Sequence, residues 1–159
     1  MKKAIPTPKG YHSVMCYLNI RNAADAISFY KTAFGATEVG RITMPGGKVA
    51  HAEIMIGDSV FMIAEEMPEW GNKGPETLGG SPVGMCIYVD NVDEFFKQAL
   101  EAGGKVVGDM DVKDQFYGDR SGTLMDPFGH KWTIATHIND IPFSEMQKQS
   151  DAMFSDTSQ

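Results

Sequence analysis

Two segments of the chain repeat one pattern of apolar and polar positions. In "VMCYLNIRNAADAISFYKTAFGATEVG", a short apolar run is followed by Asn22, with Asp25 three positions later. Asn22 is a candidate helix cap, and an acid in the first turn suits the amide-rich start of a helix. Ile27, Tyr30 and Phe34 then recur at helical spacing, and Gly35 supplies the left-handed residue that ends such a helix. The segment "GMCIYVDNVDEFFKQALEAGGKVVG" has the same plan: an apolar run, Asn91 with Glu94 three later, Val92, Phe96 and Ala99 on one face, and Gly103-Gly104 at the end.

After each helix come runs of strand character. They are "TEVGRITM", "KVAHAEIMIG" and "SVFMIAEE" in the first half, then "KVVGDMDV", "SGTLMD" and "HKWTIATH" in the second. Each half therefore reads as strand, helix, strand, strand, strand, an α+β plan in two modules over residues 11–66 and 83–138. Residues 67–82 are rich in Gly and Pro without a sustained period, and read as the connecting loop. Residues 139–159 form a tail with a short helix around "SEMQKQSDAMF". One helix on half a sheet buries too little apolar surface alone, so the halves are expected to share one core.

Composition narrows the function classes. The net charge is −7 and only three arginines are present, which leaves no basic stripe to follow a phosphate backbone, so nucleic acid is not an expected partner. The start "MKKAIPTPKGYH" has no apolar run behind its lysines and no long uncharged apolar stretch occurs, so no membrane association and a cytoplasmic location are expected. Cys16 and Cys86 lie in apolar runs without a second ligand at metal spacing, and are expected to be reduced, buried thiols.

The doubled plan, with "AISFYKTAFGA", "HAEIMIGDS", "YVDNVDEFFKQALEAGGK" and "GDRSGTLMDPFGHKWTIATH", resembles the glyoxalase/bleomycin-resistance/extradiol-dioxygenase superfamily, also called vicinal oxygen chelate, and most of all its PhnB-like branch. The resemblance covers residues 11–138. It implies two tandem βαβββ modules whose curved sheets surround a cup-shaped cavity, usually in a homodimer. It also makes "DPFGH" a tight turn, with Pro127 fixing one dihedral, Gly129 tolerating the next and Asp126 accepting hydrogen bonds from the turn's amides.

Metal-dependent members of that family gather four strand residues around a divalent ion. Here the corresponding positions are Met15, Met62, Gly84 and Thr133, none a usual ligand for a hard cation, so no metal or other cofactor is expected at the family position. The catalytic candidates are His51 and Glu53, whose i, i+2 spacing puts both on one strand face with Met55. Burial is expected to raise the Glu53 pKa towards acid/base use, and a hydrogen-bonded structural pair is the competing reading. Met15, Tyr17, Met55 and Met62, with Trp70 from the loop, are expected to line one cavity with Thr133. Phe116, Tyr117 and Arg120 are candidates on the strand leading into the "DPFGH" turn, Arg120 either gripping an anion or forming a surface ion pair. His137 reads as a polar strand end.

These residues suit a small apolar or aromatic molecule, because thioethers repack easily and aromatic faces stack on planar ligands. Two enzyme readings compete with simple binding. One is a metal-dependent lyase or dioxygenase with relocated ligands, and the other a metal-free acid/base enzyme using His51 and Glu53.

Overall fold

The computed structural model describes residues 5–155. The first module runs β1 (Tyr17–Ile20), α1 (Ala23–Phe34), β2 (Thr37–Thr43), β3 (Val49–Ile56) and β4 (Ser59–Glu65). Its strands form a sheet in the order β1-β4-β3-β2, with β1 parallel to β4 and the other pairs antiparallel. The connection holds a 3-10 turn, Pro68–Trp70, and a short helix α2, Pro75–Leu78. The second module runs β5 (Gly84–Tyr88), α3 (Val92–Glu101), β6 (Lys105–Val106), β7 (Lys113–Asp114), β8 (Asp119–Met125) and β9 (Lys131–His137). Its sheet has the order β5-β9-β8-β6, with β7 also on β8 and β5 parallel to β9, so the two modules share one topology. A final helix, α4, spans Phe143–Ser155 and buries none of its residues.

Two local expectations change. The run "KVVGDMDV" is not one strand, because Gly108 adopts a left-handed φ of 56° and the chain turns there, leaving only the two-residue strands β6 and β7 on either side. Asn22 does not cap α1 with its side chain: it sits in the left-handed region, and the Glu65 carboxylate at the end of β4 accepts from the Asn22 and Ala23 amides at 3.0 and 3.1 Å. Asn91 does cap α3, accepting from the Glu94 amide.

Both sheets place a helix-packed face on a single core. Ala52, Ile54, Ile56, Phe61 and Ile63 cover α1, while Leu124, Trp132 and Ile134 cover α3. Burying an aliphatic side chain of this kind contributes about 1.5–3 kcal/mol. Gly122 lets α3 approach β8, since a Cβ there would lie 2.9 Å from the Phe96 ring. The modules are fastened directly. Gln98 of α3 donates to the Thr32 and Ala33 carbonyls at the end of α1, the Phe34 and Trp132 rings lie 4.8 Å apart, and the Tyr30 hydroxyl donates to Asp126 at 2.7 Å.

Asp126 occupies the turn between β8 and β9. One of its oxygens accepts from the Phe128 and His130 amides, the other from Tyr30 and from Trp132 Nε1. The turn thus has the structural role expected of it, with Gly129 at a φ of 89°. Burial pushes the Tyr30 hydroxyl well above its ordinary pKa, so it remains a donor. Tyr30→Phe should cost about 1–3 kcal/mol by urea denaturation, because Asp126 keeps its other donors. Asp126→Ala should cost more, since four donors lose their acceptor together.

Candidate functional site

Because the helix-packed faces converge on one core, the opposite face of each sheet points away from it, open on the first sheet and partly covered on the second, where Asp119 and Ser121 are buried. On β3, strand alternation buries Ala52, Ile54 and Ile56 and leaves His51, Glu53 and Met55 on the open face, as their spacing implies. Register then builds a row across the sheet: Met62 of β4 pairs with Tyr17 of β1 on one side and Glu53 of β3 on the other.

His51 links the row. Its Nδ1 lies 2.9 Å from the Tyr17 hydroxyl and its Nε2 3.3 Å from Glu53 Oε1. His51 thus joins Glu53 to Tyr17 in a chain Glu53–His51–Tyr17, and the Tyr11 hydroxyl acts on Glu53 from the other side. Contrary to the sequence expectation, Glu53 is held below the usual carboxylate value. The Tyr11 hydrogen bond and His51 outweigh the opposing effect of burial. Beside this chain lies a pocket of about 410 Å³ whose lining includes Tyr17, Asn19, Met44, Ala64 and Trp70, with the Trp70 side chain largely exposed.

The expected single cavity is divided. Tyr17 and Trp70 share the pocket on the first sheet, whereas Met15 lines a separate cleft of about 580 Å³ between the modules, with Cys16, Cys86, Phe34 and Trp132. Met55 and Met62 lie on the open face outside both. Cys16 and Cys86 are exposed, not buried: both border that cleft, Cys86 from the outward face of β5.

On the second sheet, Thr133 does face outward, opposite Cys86 and Thr123, and its hydroxyl lies 3.0 Å from that of Thr123. Phe116 and Tyr117 are not on a strand. They sit in the turn between β7 and β8, where Tyr117 reaches the Ser121 hydroxyl at 3.2 Å. Arg120 belongs to the helix-packed face. Its Nε and Nη2 donate to both oxygens of Asp93 on α3, and Nη1 to Asp114, so its charge is already engaged and the ion-pair reading holds. The β8 residues that face outward are Asp119, Ser121 and Thr123, which sequence reasoning did not select. Asp119 holds both Tyr88 and His137. Counting in twos from Thr133 to His137 would have found it, since His137 and Asp119 are register partners.

The residues at the family's metal positions do not form a fitting donor set. Met15 and Met62 offer thioethers, Thr133 a hydroxyl and Gly84 no side chain, while hard divalent ions take carboxylate oxygen and imidazole nitrogen. His51 and Glu53 gain no third His, Cys, Asp or Glu at metal-binding reach among the described residues.

Comparison with known proteins agrees with this topology. A family model described as the Glyoxalase/Bleomycin resistance protein/Dioxygenase superfamily matches residues 11–134. An uncharacterized protein of Mycobacterium tuberculosis is 40% identical over 134 residues, covering 82% of this chain and 78% of the relative. The crystal structure of an Arabidopsis thaliana gene product superposes with a TM-score of 0.62 at 25% identity, over 79% of this chain and 98% of that one. TioX from Micromonospora sp. ML1 superposes with a TM-score of 0.61 at 20% identity, over 82% and 100% of the two chains, and shares the fold.

The lowered Glu53 pKa sets a direction for stability. Stability from this carboxylate is present above its unfolded-state pKa and is lost as pH falls through the lower folded value. In urea melts across the acidic range, Glu53→Gln should show a shallower loss of stability than the parent protein. Parallel curves would mean that the Tyr11 and His51 contacts contribute nothing in solution.

Proposed function

The chain belongs to the glyoxalase/bleomycin resistance protein/dioxygenase superfamily, and we propose that it is a metal-free, PhnB-like binding protein for a small apolar or aromatic molecule. The observation that carries this reading is the Glu53–His51–Tyr17 chain beside an open pocket that presents Trp70. Aromatic and thioether surface supplies contact area, and the hydrogen-bonded chain supplies a fixed polar edge that orients a ligand. The unsuitability of Met15, Met62, Gly84 and Thr133 as ligands for a hard cation supports binding without a divalent ion.

The working form proposed is a cytoplasmic homodimer. The open faces leave Tyr17, Val39, Ile42, Met55 and Tyr88 exposed, and a second copy set against them would enclose the ligand that one chain leaves uncovered. Light scattering at micromolar concentration should give the mass of two chains, and a monomer would remove this part of the proposal.

A second reading, acid/base catalysis by His51 and Glu53, is favoured by their contact; the lowered Glu53 pKa keeps the carboxylate ionised and suits it to orienting the imidazole more than to accepting a proton itself. A metal-dependent lyase or dioxygenase with relocated ligands would need a further donor beside these two. Three measurements separate the readings. Planar aromatic compounds should raise the melting temperature, with stabilisation of about 2.7 kcal/mol at one hundred times the dissociation constant. Tyr17→Ala and Trp70→Ala should each diminish the shift. A stoichiometric metal that survives mild chelation would overturn the metal-free assignment, and a turnover abolished by Glu53→Gln would place the enzyme reading first.

A further inference from the structure

The outward face of the second sheet carries a cluster that the first-sheet site does not use. Asp119 and His137 are cross-strand partners on β8 and β9, and His137 Nδ1 lies 2.7 Å from Asp119 Oδ1. The Tyr88 hydroxyl, from β5, donates to the other carboxylate oxygen at 2.8 Å. The Asp119 side chain is enclosed, at 8% exposure, while the imidazole is 51% exposed. The outer nitrogen of the ring, Nε2, lies 2.9 Å from Asp140, whose side chain is fully exposed. An ion pair with so exposed a partner exchanges readily with water or a ligand. A carboxylate accepts at each ring nitrogen, so both carry hydrogen and the ring is an imidazolium: the enclosed Asp119 fixes one N–H, and the other points to a position where an anionic ligand can replace Asp140.

We propose that the His137 imidazolium, oriented by Asp119, binds a phenolic ligand as its phenolate, with the ligand ring lying against the exposed Tyr88 ring. The inference rests on the reading that open faces of this protein hold an aromatic ligand, and it adds a chemical class and a second locus. In the step, the ligand O–H bond breaks and its proton passes to solvent water. The electron pair stays on the ligand as phenolate, which accepts the Nε2–H of the imidazolium in place of Asp140, and Asp140 turns to water. The ring is faced by Tyr88 from β5, Asp119 from β8 and Asp140 beyond β9, with Cys86 and Tyr117 next to Tyr88. Asp140 and Asp119 raise the proton affinity of His137, which favours the imidazolium. The hydrogen bond to Asp119 pushes Tyr88 up to about 12, and burial with the Asp119 charge pushes the Cys86 thiol up, so neither supplies a competing anion at neutral pH.

The probe is 4-nitrophenol, whose anion has its own visible absorption band. Binding is followed by quenching of intrinsic fluorescence, and ionisation by that band, at a pH below the probe's own pKa. Bound to the parent protein, the probe should ionise about tenfold more readily than in water, equivalent to one pKa unit. His137→Gln should bind the probe and lose this gain, and Asp119→Asn should lose most of it. In the unmodified protein, saturation with the probe should also move the imidazole resonances of His137, a readout that does not depend on any variant folding. Quenching without the phenolate band, a band indifferent to residue 137, or unmoved His137 resonances would each overturn this inference while leaving ligand binding intact. No saturable quenching at all would count against the aromatic-ligand reading itself, and this inference would fall with it.

Discussion

One carboxylate, that of Asp126, holds the two halves of the molecule in a single arrangement. It is buried, so its charge must be met within the protein, and it is met by two amides of its own turn, by Trp132 of its own module and by Tyr30 of the other. The hydrogen bond from Tyr30 crosses a sequence separation of 96 residues and draws α1 against the second sheet. Phe34, Trp132 and Phe61 then close around it with ring centroids 4.8–5.8 Å apart. Once that core faces inward from both sheets, their other faces must face outward, and every candidate for chemistry lies on those faces or in the cleft between the modules.

The two outward faces share a topology and differ in chemistry. The row on the first sheet is Tyr17, Met62 and Glu53, and the corresponding row on the second is Cys86, Thr133 and Thr123. The family's metal chemistry needs several hard donors, and this chain places thioether, thiol and hydroxyl groups along these rows with a single carboxylate, Glu53, while the other ionisable groups lie beside the rows, at His51 on one face and at Asp119 and His137 on the other. Each imidazole has a carboxylate and a tyrosine hydroxyl within its network, so both faces offer polarity next to aromatic surface.

The fold was legible because its signals repeat. The helix at Ala23–Phe34 and that at Val92–Glu101 each follow a strand and end near glycine, and the alternation through "HAEIM" correctly divides His51 and Glu53 from Ala52 and Ile54. What escaped depends on partners distant in sequence. Arg120 looked available for an anion because Asp93 and Asp114 are brought to it only by folding. Strand alternation counted from an assumed start in "QFYGDRSGTL" chose Phe116 and Tyr117, which occupy a turn, and passed over Asp119. The cysteines read as core because apolar neighbours say nothing of a cleft between two modules. Glu53 read as a raised carboxylate because Tyr11, which reverses the effect of burial, precedes it by a long stretch of chain.

The unlike capping of the two equivalent helices bears on the order in which the molecule can assemble. α3 carries its own start signal, since Asn91 reaches an amide three residues ahead, and that contact closes as soon as the helix turns. The amides that open α1 are met only by Glu65, 42 and 43 residues downstream at the far end of β4. While the chain emerges from the ribosome, α1 lacks this cap until the whole first sheet has been synthesised and β4 has taken its place beside β1. Helix start and strand pairing are then completed together, so the first module closes as one cooperative unit, whereas the second begins from a local nucleus.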